Sequence, residues 1–399
     1  MQLNQNRHLT YCTNIHPGQD WEATFNSLKQ HVPSIKQALS PKKPFGLGLR
    51  LSNLASAELG LENRMAAFQQ WLRDEQVYVF TMNGFPYGNF HHEKVKDMVH
   101  APDWTTPERL AYTTRLFDQL AVLLPKGLEG GVSTSPISYK HWHGTAVAKK
   151  KALAKGAEQL VGVALHLHHL EQTSGKYMHL DIEPEPDGLL ENTREVLAFF
   201  NEELLPVGIE IIGEAMKVGA TEAQTLLKRH ITLCYDICHF SLAYEEPEQT
   251  FEQLANAGIK VGKIQVSAAL KVLFKGGDDD AIWNALQAFD EPTYLHQVTE
   301  KTPNGVSTYA DLPEVLAVRG QHRELRAHFH VPIFVERYGS LHSTQDHIVK
   351  TLAYLRKHDL TSHLEVETYT WEVLPAGMKE NITNSIVREL QWLLNEMGK

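Results

Sequence analysis

Tyr177-Met178-His179-Leu180-Asp181-Ile182-Glu183-Pro184-Glu185 is the stretch on which the reading of this chain turns. Leu180 and Ile182 alternate with His179, Asp181 and Glu183, so a strand here carries apolar residues on one face and three polar ones on the other. In a barrel of parallel strands the outer face packs against helices and takes the leucine and isoleucine. The polar set then points inward, with Glu183 nearest the open end. Carboxylates inside a barrel are costly unless a cation or metal accompanies them.

Working outward, strand-like runs lie at 9–14, 45–51, 77–82, 131–135, 177–183, 231–237, 261–267 and 364–368. Amphipathic helical patterns separate most of them. In the first, Trp21, Phe25, Leu28, Val32, Ile35 and Leu39 recur at spacings of three and four. Another opens on Thr106-Pro107-Glu108, a cap residue with proline in the first turn, and runs to Leu124. Further helices are readable at 146–170, 189–204, 247–257, 343–358 and 381–397. Parallel strands need helical crossovers, and this alternation predicts a (β/α)8 TIM barrel. The rival, a doubly wound open sheet, usually shows a glycine-rich phosphate loop after its first strand. Cys12-Thr13-Asn14-Ile15-His16-Pro17-Gly18 is no such loop.

The chain has 399 residues and no Pro/Ser/Gly tract, low-complexity segment or long like-charge run, so one domain spanning 1–399 is expected. The rhythm breaks once. Between Ser267 and Leu364 the chain is far longer than the roughly thirty to forty residues a barrel repeat needs. A helix at 278–289 and strand-like runs at 294–299 and 328–335 fall inside it. The stretch 268–341 reads as an insertion after strand seven, on the catalytic face, suited to a lid or equally to a structural appendage.

Hydrophobic residues make up 42% of the chain, enough for a large core, and no apolar stretch approaches the roughly 20 residues of a membrane span. The net charge of −10 argues against a nucleic-acid partner, and Lys149-Lys150-Lys151 reads as a solvated helix start. The N-terminus lacks an apolar signal core, and three cysteines are too few for a disulfide scaffold, so a cytoplasmic location is expected. Cys12 and Cys234 read as inert core thiols.

The strand ends carry the chemistry. Run six gives Leu233-Cys234-Tyr235-Asp236-Ile237-Cys238-His239, with Asp236 at the strand end and His239 one turn beyond. Asp236 is either a metal ligand or a helix cap, and His239 either a site residue or a loop histidine bonded to backbone. Run seven gives Lys263-Ile264-Gln265-Val266-Ser267, where the Gln265 carbonyl oxygen can ligate a hard metal. Run eight gives Leu364-Glu365-Val366-Glu367-Thr368, with Glu367 nearer the mouth. Four consecutive strands each ending in an oxygen ligand form a far stronger signal than any one of them.

That order, Glu, then Asp-x-x-His, then Gln, then Glu, resembles the xylose-isomerase-like sugar isomerases and epimerases. The Ile-Gln-Val form on run seven is similar to the hydroxypyruvate isomerase branch. The resemblance implies that Glu183, Asp236, Gln265 and Glu367 coordinate one divalent cation and that His239 touches substrate. Oxygen-only ligation favours magnesium or manganese, with cobalt or zinc as alternatives. Longer stretches, Leu9 to Gly18, Tyr78 to Gly88, His328-Phe329-His330-Val331-Pro332 and 365–375, resemble the EboE-type metabolite-traffic proteins. That family is linked to handling a secondary-metabolite precursor, and its chemistry is poorly defined.

Other residues carry weaker signals. His328 and His330, two apart on one face of a strand, suit a metal in place of or beside Gln265, or line the substrate pocket; His296 is similar. Asn14, His16 and Asn83 end strands one and three and either bind substrate hydroxyls or serve as turn and cap residues. Phe85, Tyr87, Phe90 and Trp104 either wall an apolar ligand or pack the loop after strand three. The expected activity is proton transfer on a hydroxy-carbonyl small molecule through an enediolate, with Glu183 and Glu367 as base and acid. The alternatives are a non-catalytic binding or traffic protein and a metal-dependent phosphodiesterase or nuclease. Barrels of this type often pair through their outer faces, so a homo-oligomer is a further expectation.

Overall fold

A computed structural model describes residues 1–3, 7–89, 95–274, 276, 279–372, 374 and 381–398. Eight parallel strands form the central sheet: β1 (His8–Tyr11), β2 (Phe45–Arg50), β3 (Val77–Asn83), β4 (Gly130–Thr134), β5 (Met178–Ile182), β6 (Ile231–Asp236), β7 (Val261–Val266) and β8 (His363–Val366). β8 pairs with β1 as well as with β7. The ring is completed between β1 and β2 by a bridge from Cys12 to Gly48. Thr10 Oγ1 spans the same seam, donating to the Gly46 carbonyl (2.9 Å) and accepting from Gly48 N (2.9 Å). The protein is a TIM barrel.

Outward residues such as Leu180, Ile182, Leu233, Ile264, Val266, Leu364 and Val366 join the hydrophobic core against the helices. The inward face is polar instead. Lys263 Nζ pairs with Glu365 Oε1 at 2.8 Å, both side chains fully buried. His179 Nδ1 contacts Asp181 Oδ1 at 2.6 Å. Glycine makes room for these groups: a Cβ at Gly48 would lie 1.9 Å from Glu365 Oε2, and one at Gly262 would lie 1.9 Å from Asp181 Oδ1.

Several expectations need correction. β1 ends at Tyr11, and Thr13–Ile15 already forms a 3₁₀ turn. β8 ends at Val366, so Glu367 stands just beyond the strand. The helix read at 189–204 begins at Thr193, capped by Asn192, and passes through a π turn at Phe199–Leu204 into the helix Leu205–Met216. Pro206, with no N–H to donate, falls in the first turn of Leu205–Met216 where the π turn gives way to it.

The insertion folds as a second sheet, antiparallel throughout and six-stranded, in the order Gly305–Tyr309, Val298–Thr302, Glu324–Ala327, Leu270–Leu273, Leu341–Ser343, Arg337–Tyr338. It therefore extends past the expected boundary at 341. The helix read at 278–289 is Asp280–Gln287, and a second one, Leu312–Val318, follows it; Asp278, like Phe90 and the last residue of the 365–375 segment, lies outside the described residues. The run 328–335 is not a strand. His328 N donates to the Gln297 carbonyl (2.8 Å) and Val331 N to the Ala268 carbonyl (3.0 Å), loop acceptors rather than a ladder, and Pro332 has no N–H for one. Among the described residues no helix is long and apolar enough to cross a membrane.

Candidate metal centre

Three strands deliver one carboxylate each to the C-terminal mouth. Glu183 follows β5, its backbone N–H donating to the Thr134 carbonyl at 2.9 Å. Asp236 closes β6 and caps the helix Ile237–Leu242: Oδ1 accepts from His239 N (3.0 Å) and Ser267 Oγ (2.7 Å). The cap and ligand readings of Asp236 are thus compatible, because capping occupies only one oxygen. Glu367 follows β8, and its Oε1 accepts from Asn14 Nδ2 (2.6 Å) and Asn83 Nδ2 (3.0 Å). One oxygen from each carboxylate lies within 4.8 Å of the other two.

Glu183 Oε2 and Asp236 Oδ2 are buried with no hydrogen-bond partner among the described residues. Burial, then Asp236 and Glu365, pushes the Glu367 carboxyl up to about 8. Burial, then Glu367 and Asp236, holds Glu183 well above the ordinary carboxylate range. Acceptors left orphaned in a dry site, on acids that repel one another, are what a divalent cation satisfies. The donor set is hard oxygen throughout, so these residues fit magnesium or manganese best.

Gln265 is buried one strand over. With its nitrogen turned toward Glu365, it donates to Glu365 Oε1 (3.2 Å) and to the Glu365 carbonyl (3.3 Å). Gln265 is not among the residues lining the cavity. Asn14 and Asn83 are cavity-lining residues and hold Glu367. His239, His328 and His330 line the same cavity. His296 sits behind it, its Nδ1 donating to the His328 carbonyl (2.8 Å) and its Nε2 facing Glu291 Oε1 (2.7 Å). His16 is not brought to the cavity: its Nε2 meets Tyr11 Oη (2.9 Å) and its ring stacks on His31 (4.5 Å).

Of the aromatic group, Phe85 faces the cavity and packs edge-on to His100 (5.4 Å). Tyr87 packs on Tyr112, and Trp104 Nε1 donates to Thr134 Oγ1 at 3.1 Å within the core. The three thiols are buried and unpaired by disulfides. Burial, first of all, raises them well above the usual thiol range.

Among the lining residues, sequence reasoning misses Glu185, His100, Gln297 and Lys96. Glu185 stands two residues after Glu183, at the same alternation, which was a usable signal. His100 and Gln297 come from loops far apart in sequence and carry none. Lys96 shows how the roof is tied: its Nζ pairs with Asp311 Oδ2 (2.6 Å), and Val95 N donates to the Thr293 carbonyl (3.1 Å). The loop after β3 and the insertion are thereby joined over the mouth.

No family model and no curated protein matches the chain. Solved structures do. A xylose isomerase-like TIM barrel protein from Mycobacterium smegmatis in complex with magnesium is 10% identical, with 100% of each chain covered and a TM-score of 0.49. A D-tagatose 3-epimerase-like protein is 10% identical over 98% of this chain and 97% of that one, at 0.48. An IolI protein with a binding zinc atom is 10% identical over 98% of both, at 0.47. At that distance they add nothing to the reading of individual residues, which rests on the geometry above.

Proposed function

We propose that this chain is a divalent-metal-dependent isomerase or epimerase of a hydroxy-carbonyl small molecule, either sugar-like or a secondary-metabolite precursor. The convergence of Glu183, Asp236 and Glu367 at the mouth, with two of their buried oxygens unpartnered, is the observation that carries the reading. Glu183, Asp236, the Gln265 amide oxygen and Glu367 are the residues to hold the cation. When bound, the cation supplies Lewis-acid stabilisation of developing negative charge on the substrate oxygens.

The protein supplies the rest. Glu183 Oε2 has no other hydrogen-bond duty and is the atom to take the carbon-bound proton. Glu367 is fixed by Asn14 and Asn83 on the opposite strand side and is the atom source for proton return. Proton removal and return by one glutamate gives isomerisation; action by both, from opposite faces, gives epimerisation. Phe85 and the tied roof exclude bulk water from the enediolate.

The histidines favour a second reading. His239, His328 and His330 beside the carboxylates also suit a metal-dependent phosphodiester hydrolase. Elemental analysis and proton exchange separate the two. The expected outcome is bound manganese in the wild type, lost in Glu183→Gln and Glu367→Gln, with deuterium entering the carbon next to the carbonyl of a 2-ketose in D₂O. Manganese binding with hydrolysis of a model phosphodiester and no exchange would replace the isomerase reading with the hydrolase one. No manganese in the reconstituted wild type would end both.

A further inference from the structure

The histidines at the mouth have a hydrogen-bond pattern that a single-cation site does not require. His239 Nδ1 lies 2.9 Å from the Pro184 carbonyl oxygen, which can only accept. His328 Nδ1 lies 2.9 Å from Gln297 Oε1, and the Gln297 nitrogen donates to the Pro186 carbonyl (3.2 Å), which fixes the amide so that its oxygen faces the histidine. In its neutral form each imidazole therefore carries its proton on Nδ1 and presents a lone pair at Nε2. Yet His239 Nε2 and His328 Nε2 face each other at 3.1 Å. Two acceptors held that close in a buried site need something positive shared between them.

Glu185 completes the set. One of its oxygens lies within 4.8 Å of the ligand atoms of His239 and His328. Its Oε1 meets His100 Nε2 at 2.8 Å, an orienting contact of the kind that accompanies ligating carboxylates. The Nδ1–H bonds to Pro184 and Gln297 are likewise what fixes the ring and tautomer of a metal-bound histidine. His330, whose Nδ1 contacts the Glu367 carbonyl at 3.0 Å, stands with its ring 5.6 Å from His239 and 5.5 Å from His328. Two imidazole nitrogens and one carboxylate suit zinc or a neighbouring transition metal rather than magnesium.

We propose that His239, His328 and Glu185 hold a second, nitrogen-preferring cation beside the carboxylate centre, so that the mouth carries two cations. His328 comes from the insertion and His239 and Glu185 from the barrel, so this cation also fastens the insertion to the mouth. The proposal adds to the isomerase reading but stands on different residues.

The test uses the full chain stripped by chelator and titrated with zinc alone, read by elemental analysis after desalting. The expected result is two zincs per wild-type chain, one in His328→Ala and one in Glu183→Gln. Cobalt in place of zinc gives an imidazole-ligated visible spectrum that survives Glu183→Gln and disappears in His328→Ala. Gln297→Ala, which removes the support of His328 together with the bond to the Pro186 carbonyl, lowers affinity for the second zinc about 10–100-fold. It decides the matter if His328→Ala fails to fold.

If the carboxylate reading is wrong and this one right, the wild type and Glu183→Gln each bind one zinc, and His328→Ala binds none. Unchanged zinc stoichiometry in His328→Ala, or unchanged affinity in Gln297→Ala, overturns the proposal. A wild type that binds no zinc at this pair overturns it also, and assigns the shared positive charge to a proton.

Discussion

Replacing Glu367 by glutamine should make the metal-free protein more stable while abolishing metal binding. Glu367 is buried, and without a cation its carboxyl is held near 8 against an ordinary 4.5, by burial first and then by Asp236 and Glu365. The difference is about 3.5 pH units, and at about 1.4 kcal/mol each an ionised Glu367 costs the metal-free fold about 5 kcal/mol. The sign follows from where each state binds its proton. Well below pH 4.5 both folded and unfolded chains are protonated, and the term vanishes. Between about 4.5 and 8 the unfolded chain ionises while the folded one keeps its proton, so stability falls as pH rises. Above 8 the loss is complete.

Glutamine mimics the protonated form and can keep its oxygen on Asn14 and Asn83, so the variant escapes the loss. Urea unfolding in excess chelator is the assay. Wild type and Glu367→Gln should differ little at pH 5 and by several kcal/mol, up to about 5, in the variant's favour at pH 9. Manganese should reverse the order by stabilising only the wild type. A stability difference that does not grow between pH 5 and pH 9 would refute the view that Glu367 is a strained, cation-requiring acid.

Three further outcomes follow from named contacts. Asn14→Ala removes a hydrogen bond that holds down the Glu367 carboxyl, so the pH-linked loss of metal-free stability should move to higher pH and manganese affinity should fall about 10–100-fold, both measurable by titration. Lys263→Met removes the ammonium paired with the buried Glu365 carboxylate and should cost about 3–5 kcal/mol in urea unfolding at neutral pH, with much of the loss recovered by adding Glu365→Gln. Burial works against the Lys263 ammonium, yet its pairing with Glu365 holds it above the ordinary value. Gly262→Ala drives a methyl to 1.9 Å from Asp181 Oδ1 and should lower the thermal midpoint by several degrees, whereas Gly144→Ala, with open space around it, should not.

The barrel was legible because its strands obey a two-residue alternation whose apolar half faces helices and whose polar half faces inward. Glu183, Asp236 and Glu367 were legible for the same reason: Asp236 closes its strand, and Glu183 and Glu367 continue the alternation one residue past theirs. The insertion was legible as extra length but not as a sheet. Gly305–Tyr309 is largely exposed, so its sequence carries no alternation to read. His328 and His330 alternate as a strand would, yet their backbone is taken up by loop carbonyls that no local pattern encodes. Gln297 and His100 matter only through partners distant in the chain, His328 and Glu185, so the proximity that gives them meaning exists only after folding.

Barrel and insertion also contribute differently to the mouth: the barrel brings its carboxylates and His239, the insertion His328 and His330. Strand ends are reached by short side chains from a rigid frame, and there the chain places oxygen donors whose mutual repulsion is relieved by protonation in the metal-free protein, as at Glu367, or by a bound cation. The insertion arrives from outside and brings imidazoles, which stay neutral when buried: burial first, then the neighbouring histidines, holds His328 well below its usual value, and burial brings His330 down to about 4. Neutral donors add ligation without adding to the repulsion among Glu183, Asp236 and Glu367. A roof built from further carboxylates would have raised those three acids still higher. A roof built from lysines would have neutralised them without leaving a place for a cation. Histidines supplied by a tied insertion line the mouth without neutralising the carboxylates.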